Sequence, residues 1–212
     1  MSRTPDPRRR IGIMGGTFDP IHNGHLVCAE EARCQLELDE VIFVPAGNPW
    51  QKGGGVSSAE DRYLMTVLAT ASHENFSVSR IEIDRKGPSY TLDTLRVFRS
   101  FYDDVELFFI TGADAVAEIL SWKDPEAVLN EAHFVAATRP GYDIKNMEPV
   151  LEKVSVMHIP ALAISSSDIR ARVASGRPVR YLMPREVAQF IATRGLYSSR
   201  GYDLDSGTTP KG

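Results

Sequence analysis

The sequence predicts an α/β fold, an open parallel sheet with helices on both faces. Three observations predict it. Short β-branched or aromatic runs alternate with amphipathic stretches along the chain, and that alternation implies parallel strands joined by crossover helices. Segments carrying glycine, serine and charge follow the ends of these runs, where an open parallel sheet holds its ligands. A length of 212 residues fits one domain whose core is large enough to stand without metals or disulfides.

The first strand is 11–14, Ile-Gly-Ile-Met, with the short apolar character of a buried strand. It leads into Gly15-Gly16-Thr17-Phe18-Asp19-Pro20-Ile21-His22-Asn23-Gly24-His25, whose glycine pair lets backbone N–H groups approach a ligand with no Cβ in the way. Leu26, Ala29, Ala32 and Leu36 then recur at helical spacing with Glu30, Glu31, Arg33 and Gln35 between them, predicting a helix over 24–37. Gly24 falls at its start. His22 and His25, three residues apart, can both point at an anion lying on the positive end of the helix dipole. Further strands are expected at 41–44, 76–79, 105–110, 134–137 and 154–159, and helices near 58–72, 91–101, 113–120, 125–131, 166–175 and 184–194. The last helix begins with Pro184 at a first-turn position and ends at Gly195. A single domain over 10–197 is thus flanked by an Arg-rich leader over 1–9 and a tail over 198–212, both expected to be disordered.

The formal charge of −4 argues against a nucleic-acid-coating surface while leaving room for a local pocket that binds substrate-sized anions. No apolar run approaches the ~18 residues of a membrane span, and the amino terminus lacks the apolar core of a signal peptide, so the expected setting is cytoplasmic, with no membrane partner. Cys28 and Cys34 lie six apart on one predicted helix, too far round it to pair, and read as reduced packing thiols. His73, His133 and His158 have no glycine-rich surroundings and read as structural or solvated.

The glycine-rich turn with its His-x-Gly-His resembles the nucleotidyltransferase superfamily, whose members transfer a nucleotidyl group from a nucleoside triphosphate and share this site with class I aminoacyl-tRNA synthetases. Far downstream, Ile164-Ser165-Ser166-Ser167-Asp168-Ile169-Arg170 looks like the second motif of that superfamily. Within it, the chain length and the segments 45–52, 89–94 and 112–122 look most like the bacterial nicotinate-mononucleotide adenylyltransferases, a resemblance that covers roughly residues 10–197. It implies a Rossmann-like sheet and transfer of the adenylyl group of ATP to nicotinate mononucleotide. Magnesium is then carried in with ATP, since no carboxylate cluster in the sequence offers a dedicated cage.

Carried onto these positions, the resemblance assigns His22 and His25 to the α- and β-phosphates. Gly15, Gly16, Thr17, Phe18 and Gly24 surround the same nucleotide. Ile164, Ser165, Ser166, Ser167 and Arg170 complete the ATP site, with Arg170 on the leaving pyrophosphate. Ser165 followed by Asp168 also satisfies a capping box, and a capped helix start still offers N–H groups to phosphate. For the acceptor the candidates are Lys52, Ser89, Tyr90, Thr91, Gly112, Asp114, Trp122 and Arg139, with Trp122 placed against the pyridine ring. Asp114 also fits as a helix cap and Trp122 as a packing residue. Because the attacking phosphate is already an anion, no general base is required. The protein's work reduces to positioning and charge neutralisation.

One segment departs from the family: Asn48-Pro49-Trp50-Gln51-Lys52 carries Gln51 where a histidine is usual, and with Gly53, Gly54 and Gly55 behind it suggests a mobile flap. Competing expectations are an adenylyltransferase for nicotinamide mononucleotide or phosphopantetheine, or a nucleotide-binding regulatory module without catalysis. Homo-oligomerisation is left open.

Overall fold

Alternating side chains decide which face of each strand is covered, and that alternation builds the sheet. The computed structural model describes residues 8–49, 56–102, 104–138, 144–160 and 162–198. Strands β1 (Arg9–Gly16), β2 (Glu40–Pro45), β3 (Phe76–Val78), β4 (Val105–Gly112), β5 (His133–Thr138) and β6 (Val154–His158) form one parallel sheet in the order β3-β2-β1-β4-β5-β6. Ile11 and Ile13 of β1, Ile42 and Val44 of β2, and Leu107 and Phe109 of β4 face one side. Met14, Val41, Phe43, Phe108 and Ile110 face the other.

Helices α1 (Asn23–Gln35), α2 (Ala59–Thr70), α3 (Thr91–Phe101), α4 (Ala113–Ala117), α5 (Pro125–Glu131), α6 (Ser166–Ala174) and α7 (Arg185–Arg194) sort onto these two faces. Cys28, Ala29, Met65, Ile169 and Ile191 bring α1, α2, α6 and α7 to the Met14 face; Leu95, Val116 and Val128 bring α3, α4 and α5 to the Ile13 face. Each fully buried side chain of this kind contributes roughly 1.5–3 kcal/mol over its exposed state. The strand order reverses between β1 and β4, which opens a crevice at their carboxyl ends. That crevice fixes where a ligand can sit.

The expected elements are present with small differences. Arg9, placed in the leader, starts β1 and pairs with Glu40 at 2.7 Å; residues 1–7 and those beyond Ser198 lie outside the described residues. The helix expected over 113–120 stops at Ala117 and tightens into a 3-10 turn over Ile119–Ser121. Ser121 bonds the Glu118 carbonyl through both its N–H (2.8 Å) and its Oγ (2.7 Å). A second 3-10 stretch, Ile144–Lys153, had no expected counterpart. Pro184 is the cap residue of α7, one position earlier than expected, while Gly195 ends the helix with φ 63° as its position suggests. Among the described residues no helix is long and apolar enough to cross a membrane.

Of the two cysteines, Cys28 packs under α1 whereas Cys34 is exposed beside Glu30, so only one is a packing thiol. Burial pushes the Cys28 thiol up to about 12. The native protein should therefore release one equivalent of chromophore from Ellman's reagent, and a second only in denaturant. Two equivalents in the native state would contradict the packing of α1.

Candidate active site

Strand β1 delivers the chain to the sheet rim at Gly15 and Gly16, which pair with Val44 and Pro45. At Phe18 the backbone turns left-handed (φ 50°), and the ring folds back so that a Cβ on Gly16 would sit 2.8 Å from its carbons. Gly16 is required first by that ring. The ring then meets His25 edge-on, with centroids 5.1 Å apart.

His22 is buried and caps α1 from an extended conformation. Its backbone N–H donates to Nδ1 of His25 at 3.2 Å, so a neutral His25 ring carries its proton on Nε2, which becomes the donor. The two imidazoles stack with centroids 3.7 Å apart. A Cβ at Gly24 would press on the His22 ring at 3.0 Å, which ties the glycine between the histidines to their geometry.

The second motif docks against the first. Ser165 caps α6 by accepting the Asp168 N–H at 3.1 Å, Ser166 Oγ donates to the Pro20 carbonyl at 2.9 Å, and Ser167 Oγ accepts from Arg170 at 3.2 Å. Only half of the capping box forms, because the Asp168 carboxylate accepts from Arg172 at 2.7 Å. Arg170 donates to the main-chain carbonyl of Asp19 at 2.7 Å. Ile164 packs at the core edge beside Gly24. Arg170, far from the two histidines in the sequence, thus meets the turn that carries them.

Beneath the turn lies Arg62, whose side chain is fully buried. Its guanidinium donates to three carbonyls: Thr17 at 2.8 Å, Gly47 at 3.1 Å and Ser57 at 3.1 Å. Burial pulls its pKa down, and the Asp19 charge opposes that shift. Asp19, also buried, accepts from the Tyr197 hydroxyl at 2.6 Å and from the Ser57 N–H at 3.4 Å.

On the Ile13 face a cavity of about 280 Å³ opens at the same rim. It is lined by Gly15, Gly16 and Thr17, by Ser89, Tyr90 and Thr91 at the start of α3, and by Trp122 and Lys123. Trp122 stands edge-on to Phe109 at 6.3 Å, so its ring both packs and faces the cavity, and the Lys123 ammonium lies 4.6 Å from the Tyr90 ring centroid. Glu82 also lines the cavity; burial raises its carboxyl above the usual range, partly offset by the Thr94 hydroxyl at 2.7 Å. A Cβ at Gly47 would collide with the Glu82 carbonyl.

Two half-sites therefore meet at Gly15–Thr17: stacked imidazoles with Arg170 on one side, an aromatic cavity on the other. Comparison with known proteins shows relatives over nearly the whole chain. A family model described as cytidylyltransferase-like matches residues 13–172, a span that includes both motifs. A protein of Clavibacter sepedonicus named "Probable nicotinate-nucleotide adenylyltransferase" is 57% identical over 199 residues, 94% of this chain and 99% of its own. A Corynebacterium glutamicum protein of the same name is 54% identical over 216 residues, 100% of this chain and 98% of its own. The chain belongs to the nicotinate-nucleotide adenylyltransferase family. A solved Plasmodium falciparum nicotinic acid mononucleotide adenylyltransferase, complexed with NaAD, superposes with a TM-score of 0.75 at 20% identity, covering 89% of this chain and 97% of that one, and supports the fold.

Within this nicotinate-nucleotide adenylyltransferase fold the expected acceptor residues divide. Ser89, Tyr90, Thr91 and Trp122 come together at the cavity. Gly112 caps α4 and Asp114 lies exposed in its first turn, outside the cavity wall. Trp50, Gln51, Lys52, the three glycines and Arg139 fall outside the described residues. His73 stacks on Phe76 and pairs with Glu30, His133 lies against Phe108, and His158 meets the Thr138 hydroxyl, all consistent with structural or solvated positions.

Sequence reading missed Arg62, Glu82, Lys123, Asp19 and Tyr197. For Arg62 a signal was present: Met65, Thr66 and Ala69 follow at three, four and seven residues, which puts the arginine on the buried face of α2. Replacing it should unsatisfy three carbonyls at once. We expect Arg62→Met to lower the unfolding free energy by about 2–4 kcal/mol, read as a reduced urea midpoint, and Arg62→Lys to recover only part of it. An unchanged midpoint for Arg62→Met would refute the stapling role.

Proposed function

We infer that the chain transfers the adenylyl group of ATP to nicotinate mononucleotide, giving deamido-NAD and pyrophosphate. The observation that carries this is the meeting of the two half-sites at Gly15–Thr17, since a nucleotide transfer must bring two bound nucleotides together at one phosphorus. The full-length kinship at 54–57% identity supplies the reaction class and the acceptor.

In this reading the acceptor lies in the Trp122 cavity with its pyridine against the indole, and Tyr90 and Lys123 also line that cavity. Its phosphate oxygen attacks the α-phosphorus of ATP in line. The bond from that phosphorus to the bridging oxygen breaks, and pyrophosphate leaves with the electron pair. The attacker is already anionic, so no residue need take a proton. His22 and His25, at the amino end of α1, donate to the α- and β-phosphate oxygens as charge moves onto them. Arg170 and the first-turn N–H groups of α6, which an α-helix leaves without internal partners, receive the pyrophosphate. Among the described residues no three His, Cys, Asp or Glu side chains converge on a metal position. Magnesium, brought in with ATP, would neutralise phosphate charge.

Pyrophosphate release, measured with ATP and nicotinate mononucleotide, nicotinamide mononucleotide or phosphopantetheine in turn, tests the reading. Nicotinate mononucleotide should give the highest kcat/KM; release with phosphopantetheine alone would replace it. His25→Ala, and likewise His22→Ala, should leave a folded protein with kcat reduced on the order of 10²–10³-fold. Near wild-type turnover in both would move the chemistry away from the stacked imidazoles. Trp122→Ala should weaken the mononucleotide by roughly 1–3 kcal/mol while ATP binding changes little, as titration calorimetry can separate. An equal loss for ATP would return the indole to packing alone.

A further inference from the structure

Asp19 lies between two arginines that do not bond its carboxylate closely. Arg170 has its nearest nitrogen 3.9 Å from Oδ2 and donates to the Asp19 main-chain carbonyl instead. Arg62 spends its donors on the carbonyls of Thr17, Gly47 and Ser57. The carboxylate is satisfied by neutral donors, chiefly the Tyr197 hydroxyl at 2.6 Å, with the Ser57 N–H at 3.4 Å.

We propose that Tyr197 is a positioning residue for the transfer: by satisfying Asp19, its hydroxyl keeps that carboxylate from closing onto Arg170 and so leaves the guanidinium to the departing pyrophosphate. This rests on the assignment of Arg170 to pyrophosphate made above. The separation makes the competition real, since a shift of about 1 Å would turn the present approach into a full charge-assisted bond. Tyr197 is also held where it would not otherwise rest. It follows the α7 cap Gly195 with φ 63°, a left-handed conformation that costs a non-glycine residue energy. What that backbone achieves is delivery of a phenol across the fold to a buried carboxylate. Burial, together with the Asp19 bond, holds the phenol proton far above the ordinary tyrosine range, so the group stays a donor throughout the working pH range.

Tyr197→Phe removes one oxygen and little packing. We expect kcat to fall roughly five- to twentyfold, ATP to bind more weakly, and product inhibition by pyrophosphate to weaken, with KM for the mononucleotide moving much less. Adding Asp19→Asn to Tyr197→Phe should restore most of the lost kcat, because a neutral amide does not draw in the guanidinium. A tyrosine that merely supports the fold would show no such rescue. Melting curves identify any variant that is unfolded at the assay temperature. Should Tyr197→Phe itself unfold, Asp19→Asn alone decides: pyrophosphate affinity at or above wild type supports the proposal, and weaker affinity overturns it. Wild-type kcat in a folded Tyr197→Phe, or a double variant no better than the single, also overturns it. Unaltered ATP and pyrophosphate kinetics in Arg170→Ala would instead remove the Arg170 assignment on which the proposal rests.

Discussion

The site depends on a buried guanidinium. Arg62 gives its donors to carbonyls from the glycine-rich turn after β1, the loop after β2 and the approach to α2, so three segments that share no secondary structure are held at one point. Desolvating an arginine costs several kcal/mol unless every donor is satisfied and a counter-charge lies near. Here carbonyl dipoles do most of that work and Asp19 supplies the charge. Because the carbonyls belong to the loops that border the candidate site, the requirement to satisfy one cation also shapes that site.

Sheet topology supplies the rest. Reversal of strand order between β1 and β4 leaves the carboxyl end of β1 as the divider between two layers of helices. Histidines and Arg170 approach it from the side of α1 and α6, while the Trp122 cavity opens on the side of α3 and α5. Glycine at positions 15 and 16 keeps the divider thin, with Phe109 and Phe18 packed where side chains would otherwise stand. In the proposed reaction the two nucleotides approach one another across these two residues of backbone.

Fold and chemistry were unevenly legible in the sequence. Strands such as 41–44 and 105–110 declare themselves because burial on both faces demands continuous apolar runs, and α1 because its small apolar residues recur at helical spacing. The two motifs were readable since glycine, histidine and serine sit where backbone and anion chemistry need them. Residues acting across long separations were not. Nothing local marks Tyr197 as the partner of Asp19, and Glu82 lies in a turn segment with no periodicity to reveal its burial. The helix over 113–120 ended early for a similar reason: a serine competing for one carbonyl is decided by geometry that spacing does not carry.

The proposed reaction is a direct attack of the acceptor phosphate on ATP, with the site positioning and neutralising and neither histidine forming a bond to phosphorus. Adenosine 5′-(1-thiotriphosphate) of one configuration at the α-phosphorus tests it most directly. A single in-line displacement predicts deamido-NAD thiophosphate with inverted configuration, assignable by phosphorus NMR. Retention would require two displacements through a covalent nucleotidyl-enzyme, and would rule out direct attack.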